Sequence, residues 1–518
     1  MSARPFVIGE DALDLAAFAA VCAGARGVVL GDGARARVTA SLALRRRLEA
    51  AEARVYGINT GFGRLADTVI PPGQRAALQT NLVRSHAVGW GPPLSREETR
   101  GLVVLRALSL ARGYSGVRPE VVEQLLWLLE SGLHPWIPSR GSVGASGDLA
   151  PLAHLGLVLL GEGHVHGEDG RREPAGAALA RHGRAPLRLE AKEGLALING
   201  TQLMNALGLL AVARGERLLR WAVVAAALSA EGLEASVAPF GARYHALLAG
   251  SPIVSAHGDC PRVQDPYSVR CAPQVLGASL AALRQARAVL LREAGAVTDN
   301  PVLLPEEGIA VSGGHFHGQP LALQLDALTV ALCEIGSVAE RRVALFMGGN
   351  GGRLPRFLAA APGLESGLMI AQYLAAALVS ENKTGAFPAS VDSIPTSDGQ
   401  EDHVSMGSVA ALRLAPLLER VEAVVAIELL TAGRALQFIC DPLRATACGR
   451  VALTMATATA AVLAQLAATV DLAPVDRSLT EDLERICRLI GGAEAAGCVT
   501  ALAALTAGPD LVPGAPSA

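Results

Sequence analysis

Aromatic side chains make up only 3% of these 518 residues, so the core has to be packed from Ala, Leu and Val rather than from rings. Charge is scarce too. Asp, Glu, Lys and Arg supply 18% of positions, against about 25% in an average globular protein. That shortage points to extensive buried surface, such as surface shared between subunits. Neither sign dominates: the net charge is −3 and there is no basic block or stripe. This argues against a nucleic-acid partner and against an anionic membrane. None of the eight cysteines (Cys22, Cys260, Cys271, Cys333, Cys440, Cys448, Cys487, Cys498) forms a CxxC pair or a zinc-ligand spacing. Without a secretory signal, the pattern predicts reduced thiols in a cytoplasm, four of them buried in apolar segments.

One uncharged run could mislead: Val451 to Val470 is twenty residues long, enough to span a bilayer. It carries Thr454, Thr457, Thr459, Gln465 and Thr469, and much of the rest is Ala. Membrane helices favour Leu, Ile and Phe with aromatic ends, so the expectation is a helix buried on all sides of a bundle.

What is present is mostly helical patterning. Residues 1–50 read as a helical segment with a short extended piece, Gly27-Val28-Val29-Leu30. Residues 56–91 read as loops and short helices, 97–130 and 149–160 as helices, and 164–190 as an exposed loop. Long Ala/Leu segments follow near 201–237, 274–296, 319–347, 365–383, 407–437, 443–470 and 477–504. In one of them Pro320 suits a first helical position. Leu321, Leu325, Leu328, Leu332 and Ile335 then recur at steps of four and three, a bundle-like stripe. No alternation supports a large sheet. The expected class is mainly α, a bundle of long central helices with a loop-rich catalytic region before it. The expected division is 1–200 for that catalytic region and 201–518 for the long-helix bundle, together one continuous unit.

The chemistry-bearing residues lie in the breaks. Gly141 to Leu155 reads GSVGASGDLAPLAHL. Tyr56 to Gly63 reads YGINTGFG, three glycines in eight residues, a turn-rich loop. A tyrosine at its base is a candidate general base if neighbours lower its pKa. Gln264 to Cys271 reads QDPYSVRC, where Arg270 offers a planar fork suited to a carboxylate. Glu193 to Thr201 reads EGLALINGT, in which Asn199 opens the long-helix region.

Taken together, these motifs resemble those of the aromatic amino acid ammonia-lyase family, which contains histidine, phenylalanine and tyrosine ammonia-lyases. The resemblance spans residues 56 to 407. It implies that Ala145-Ser146-Gly147 cyclises to a methylidene-imidazolone (MIO), an electrophile made from backbone without any external cofactor. The chemistry suits the residue types. Gly147 nitrogen must reach the Ala145 carbonyl carbon, which demands a tight bend that glycine enters cheaply. Ser146 supplies the hydroxyl that leaves as water. The resemblance places Tyr56 and Tyr267 in proton transfer, Arg270 on the substrate carboxylate, Asn199 beside the MIO oxygen, and Gln264 and Phe316 facing the substrate or the MIO.

Three positions match the histidine-specific members: His86 in NLVRSHAVG, Glu401 in QEDHVSMG, and Met369 in SGLMIAQ. An imidazole has polar nitrogens that need partners when buried, and a His and a carboxylate can supply them, which a phenyl ring could not use. The implied reaction is non-oxidative deamination of L-histidine to trans-urocanate and ammonia, with Tyr56 or Glu401 as the base. The alternatives are a tyrosine ammonia-lyase or tyrosine aminomutase using the same chemistry and, more remotely, a non-catalytic helical scaffold. The implied assembly is a homotetramer with shared active sites. The sequence departs from the family at His315, where Asn is usual, at Phe387, and in the glycine-rich run Gly348 to Gly352. His315 and His317 lack a third ligand, so no metal site is expected.

Overall fold

The computed structural model describes residues 4–51, 54–167, 170–237, 246–256 and 263–492. Cys260, Cys498 and the end of the 477–504 segment lie outside them. By internal contacts the chain divides into two compact units. The first comprises Met1–Ala213, Gln285–Asp326 and Pro388–Leu414, and the second comprises Arg214–Arg284, Ala327–Phe387 and Ala415–Ala518.

In the first unit, Phe6–Ile8 and Val28–Leu30 pair in parallel around the helix Leu15–Cys22. Asp14 caps that helix, its carboxylate accepting from Ala17 N at 2.7 Å. The helix Arg96–Ala111 begins on a capping box formed by Ser95 and Glu98. The helix Pro119–Ser131 starts with proline and ends at Gly132, whose φ of 75° is the left-handed stop expected of glycine. The two helices cover the 97–130 segment that the sequence suggested as helical, with a break between Ala111 and Pro119. The expected loop at 164–190 is instead a small hairpin, His164–His166 with Arg172–Pro174, followed by the helix Ala175–Arg181. Val165, Ala178 and Leu179 are buried there, too few apolar positions to show a period in the sequence.

The long helices are Gln202–Gly232, Ala272–Ala294, Gln319–Met347 and Leu414–Cys440. The predicted stripe of Leu321, Leu325, Leu328, Leu332 and Ile335 is fully buried. Burial of each such side chain contributes about 1.5–3 kcal/mol. Gln319–Met347 and the run Gly407–Cys440 are long and apolar enough to cross a membrane, and most of each apolar stretch is buried within the protein.

The segment 443–470 departs from expectation. It holds two shorter helices, Pro442–Ala447 and Thr457–Thr469, separated where Gly449 takes a φ of 69°. Only Thr459, Val462 and Leu466 of the second helix are buried, so it is not enclosed on all sides. Its alanines make little demand for burial, and a run of them carries no face. Among the described cysteines Cys22 is buried. Burial pushes the Cys333, Cys440 and Cys487 thiols up to about 11.

Candidate active site

Within the first unit the Ala145-Ser146-Gly147 loop leads into the helix Leu149–Leu159. Gly147 has a φ of 74°, and a Cβ there would lie 2.2 Å from the Gly200 carbonyl oxygen. No other residue fits. The bend is closed from the far side, where Asp148 N donates to Gly200 O at 2.7 Å. Gly144 is equally confined: it has a φ of 69°, and a Cβ would meet Ser405 Oγ at 2.2 Å. Of the five residues Gly144 to Asp148, all are buried except Ser146, which is half-buried.

Asp148 fastens this loop to two other segments. Its carboxylate accepts from Leu203 N and Met204 N at 2.9 and 3.0 Å, free donors at the start of the helix Gln202–Gly232. It also accepts from Ser142 Oγ at 3.1 Å and Ser408 Oγ at 2.5 Å. Burial pushes the Asp148 carboxyl above its ordinary range, and these hydrogen bonds oppose that shift. Ser405 Oγ donates to Gly144 O at 3.0 Å, and Met406 N donates to Val143 O at 2.9 Å. The strip 404–408 thus braces the loop along its length.

Two side chains reach Ser146 itself. Its hydroxyl donates to Glu401 Oε1 at 2.9 Å, while Thr396 Oγ1 donates to Glu401 Oε2 at 2.6 Å. With the Asn199 amide turned to satisfy both its ends, the nitrogen donates to Ser146 O at 2.9 Å and the oxygen accepts from Asn300 N at 2.9 Å. Asn199 is held from behind by Arg106, whose Nη1 donates to the Asn199 carbonyl at 2.7 Å. Asp299 accepts from Asn300 N at 2.7 Å and pairs with Lys192 at 2.6 Å, both side chains fully buried. Burial lowers the Lys192 amine from its usual value and pushes the Arg106 guanidinium down to about 10, with Asp299 opposing both shifts. Sequence reasoning missed Arg106, Asp148, Lys192, Asp299 and the serines at 142, 405 and 408. A usable signal existed for Arg106: it is a cation inside an apolar run, and a buried cation needs a partner.

His86 closes the helix Arg75–His86. Its Nδ1 lies 2.9 Å from Leu82 O. A carbonyl only accepts, so Nδ1 carries the proton and Nε2 is left as an acceptor. Burial lowers the ring's pKa, with the Leu82 hydrogen bond and the Glu401 charge opposing, so the imidazole is neutral near pH 7.

Tyr56 corrects an expectation. A general base here called for a lowered pKa, yet burial raises it, Glu401 and Asp299 raise it further, and only the hydrogen bond from Gly63 N lowers it. That bond spans 3.3 Å. The Tyr56 and Phe62 rings meet edge to face at 6.2 Å. The Glu401 charge therefore acts on Tyr56, on His86 and, by direct contact, on Ser146.

Phe316 is half-buried, and His315 beside it is exposed. His315 acts electrostatically on Glu293, whose carboxyl is raised by burial and which accepts from Thr201 Oγ1 at 2.7 Å. Among the described residues no group of three His, Cys, Asp or Glu side chains could hold a metal ion.

The other sequence-predicted residues belong to the second unit. Gln264 and Tyr267 are exposed, Tyr267 at 71%. The Arg270 guanidinium lies over the Tyr267 ring at 4.5 Å, and its Nε donates to Asp265 O at 3.0 Å. The short helix Tyr267–Arg270 is tied down by Arg342, whose Nη1 donates to Ser268 O at 3.2 Å. Arg342 also pairs in two-pronged fashion with Glu428, both fully buried, and Ser229 Oγ donates to the same carboxylate at 2.7 Å. Met369 is half-buried at the first position of the helix Met369–Gly385, and the divergent Phe387 just beyond that helix is exposed.

Comparison with known proteins adds four findings. A family model described as aromatic amino acid lyase matches residues 13–467. A histidine ammonia-lyase of Anaeromyxobacter sp. (strain K) is 48% identical over 515 residues, covering 94% of this chain and 99% of its own. Among solved structures, histidine ammonia-lyase from Trypanosoma cruzi superposes with a TM-score of 0.85 at 37% identity, covering 99% of this chain and 96% of its own. Tyrosine aminomutase from Streptomyces globisporus does so with a TM-score of 0.88 at 32% identity, covering 96% of this chain and 98% of its own.

Proposed function

Since the chain belongs to the aromatic amino acid lyase family, we propose that it deaminates L-histidine non-oxidatively to trans-urocanate and ammonia, using an MIO formed from Ala145-Ser146-Gly147. The observation that carries this reading is the surround of Ser146. Its hydroxyl meets Glu401, its carbonyl oxygen meets the Asn199 amide, and Glu401 acts electrostatically on the neutral His86. The residues fit the group. Ring closure on Gly147 needs the bend that Gly147 adopts, and the ring oxygen is Ser146 O, already facing a donor. Once formed, the MIO supplies an electrophile that takes the substrate amine and makes it a better leaving group.

The remaining roles fall to side chains. Asn199 stabilises negative charge on Ser146 O; Arg106 holds the Asn199 main-chain carbonyl, and the buried Lys192–Asp299 pair holds Asn300 N, from which the amide oxygen accepts. His86 Nε2 accepts from one imidazole nitrogen of the substrate and Glu401 pairs with the other, which a tyrosine ring could not satisfy. The family resemblance gives Arg270 the substrate carboxylate in a forked pair, Tyr267 a part in proton transfer, and Gln264, Phe316 and Met369 a place among the substrate-binding side chains. The β-proton goes to Tyr56 or to Glu401. The raised Tyr56 pKa makes the phenolate a strong base present in small amount at neutral pH, and it favours Glu401 as a working partner.

The assembly in this reading is a homotetramer in a cytoplasm, binding only its amino acid substrate. Support comes from apolar side chains left exposed on long helices: Leu323 and Val330 on one, Ile370, Tyr373 and Leu374 on another. Light scattering should give four times the chain mass; a monomer would overturn it.

Incubation with histidine should raise the ultraviolet absorbance of urocanate, and incubation with tyrosine should give no coumarate and no β-amino acid. Coumarate or β-tyrosine would move the assignment to the tyrosine enzymes. Ser146→Ala should abolish turnover and leave the fold intact; His86→Leu should raise KM for histidine by about 5- to 30-fold, the loss of one or two kcal/mol of hydrogen bonding.

A further inference from the structure

The Ser146 hydroxyl, the group that ring maturation removes, is held by Glu401. Ser146 Oγ donates to Glu401 Oε1 at 2.9 Å, and Thr396 Oγ1 immobilises the other carboxylate oxygen at 2.6 Å. The pairing is also fixed through the main chain, where Thr396 N donates to Glu401 O at 3.0 Å and Glu401 N to Thr396 O at 3.3 Å. An ordinary loop serine needs no carboxylate held in place for it. The oxygen that Glu401 grips is the one that must depart if the triplet is to become an electrophile.

We propose that Glu401 is the acid–base catalyst of the chain's own maturation, removing the second water from Ser146. This rests on the MIO reading given above. In the first stage Gly147 N bonds to the Ala145 carbonyl carbon and its proton passes to that carbonyl oxygen. The oxygen then leaves as the first water, taking the Ser146 N–H proton, and a C=N bond closes the ring. The Ser146 Cα–H is now flanked by a carbonyl and an imine and is acidified. Glu401 takes that proton, the Cα–Cβ double bond forms, and the Cβ–Oγ bond breaks. Glu401 returns the proton to the departing hydroxyl, which leaves as the second water. The carboxylate ends as it began, and no oxidant, reductant or further reactant enters. The Asn199 donor on Ser146 O favours the same step, because charge develops on that oxygen as the Cα proton leaves.

Glu401 therefore works twice, first on Ser146 and afterwards on the substrate, and the two roles separate by mass. Full-length wild-type protein should be about 36 Da lighter than its sequence, the loss of two waters. Wild-type protein of unreduced mass would defeat the MIO reading itself. Glu401→Gln keeps the shape and a hydrogen-bond acceptor for Ser146 but cannot carry the proton. It should stop about 18 Da light, with the ring closed, the hydroxyl retained and no MIO absorbance. A Glu401→Gln protein with the full loss of two waters overturns the inference and leaves the MIO reading standing; one with no loss overturns the step assigned to Glu401. If circular dichroism shows that this variant does not fold, Thr396→Val decides. It frees one carboxylate oxygen and should slow the appearance of the absorbance after cell-free synthesis by about tenfold. An unchanged rate overturns the inference.

Discussion

The Asn199 side-chain amide donates to the main-chain oxygen of Ser146 at 2.9 Å, and the same amide accepts from Asn300 N at 2.9 Å. One residue thereby links the Ala145-Ser146-Gly147 loop to a buried layer of charge, Lys192 with Asp299, and to Arg106. Removing an oxyanion-type donor costs about 10²–10³ in kcat. Asn199→Ala should show that loss with little change in KM, read from steady-state kinetics on histidine. A kcat within threefold of wild type would remove Asn199 from the mechanism.

Tyr56 and Glu401 make opposite predictions about pH. The Tyr56 pKa stands above its ordinary value near 10, chiefly through burial. If the phenolate is the base, kcat/KM rises with pH from neutrality towards that pKa, because the deprotonated fraction grows tenfold per unit. Tyr56→Phe should then lose about 10²–10⁴ of the rate and flatten the rise. A profile level from pH 7 to 10 in the wild-type protein assigns the base to Glu401.

Arg342 and Glu428 form a fully buried pair, and Arg342 also holds Ser268 O in the short helix that bears Tyr267 and Arg270. Arg342→Met leaves Glu428 charged and buried, which costs about 3–5 kcal/mol. The double change Arg342→Met with Glu428→Leu should recover most of that stability, since replacing both charges removes the desolvation penalty. Denaturant unfolding reads both. In the double variant KM should remain raised, because Ser268 has lost its donor; a KM equal to wild type would show that the helix needs no such tie.

His134 is only 8% exposed. Burial pushes its pKa down to about 4, and Arg96, Arg100 and His166 add to the shift. His154 and His166 are lowered as well, again chiefly by burial. Below the unfolded value of about 6.5 the unfolded chain takes up protons that the folded chain refuses. Folding stability should accordingly fall as pH drops from about 6.5 towards 4, and be full above that window. His134→Gln should flatten the decline, measured as melting temperature against pH. A slope unchanged by the substitution would place the acid sensitivity elsewhere.

The long helices were readable because their cores repeat at three and four: Leu321 to Ile335 announces a buried face by spacing alone. The break at Gly449 and the hairpin at 164–174 were not, since short elements bury too few apolar residues to show a period. At the site, the sequence named the side chains proposed to do chemistry. It said nothing of what holds them. Asp148, Ser405 and Ser408 are common residue types whose partners lie up to some 260 positions away in the chain.

The sequence by itself determined the inventory: a serine between small residues, and a tyrosine, a histidine and a carboxylate in motifs of the lyase family. Tertiary structure alone decided the charge states and the contacts. Burial raises Tyr56 and lowers His86, and the Glu401 carboxylate that acts on both also grips the Ser146 hydroxyl. Those outcomes depend on desolvation and on distances between segments remote in the chain. A one-dimensional pattern carries neither quantity.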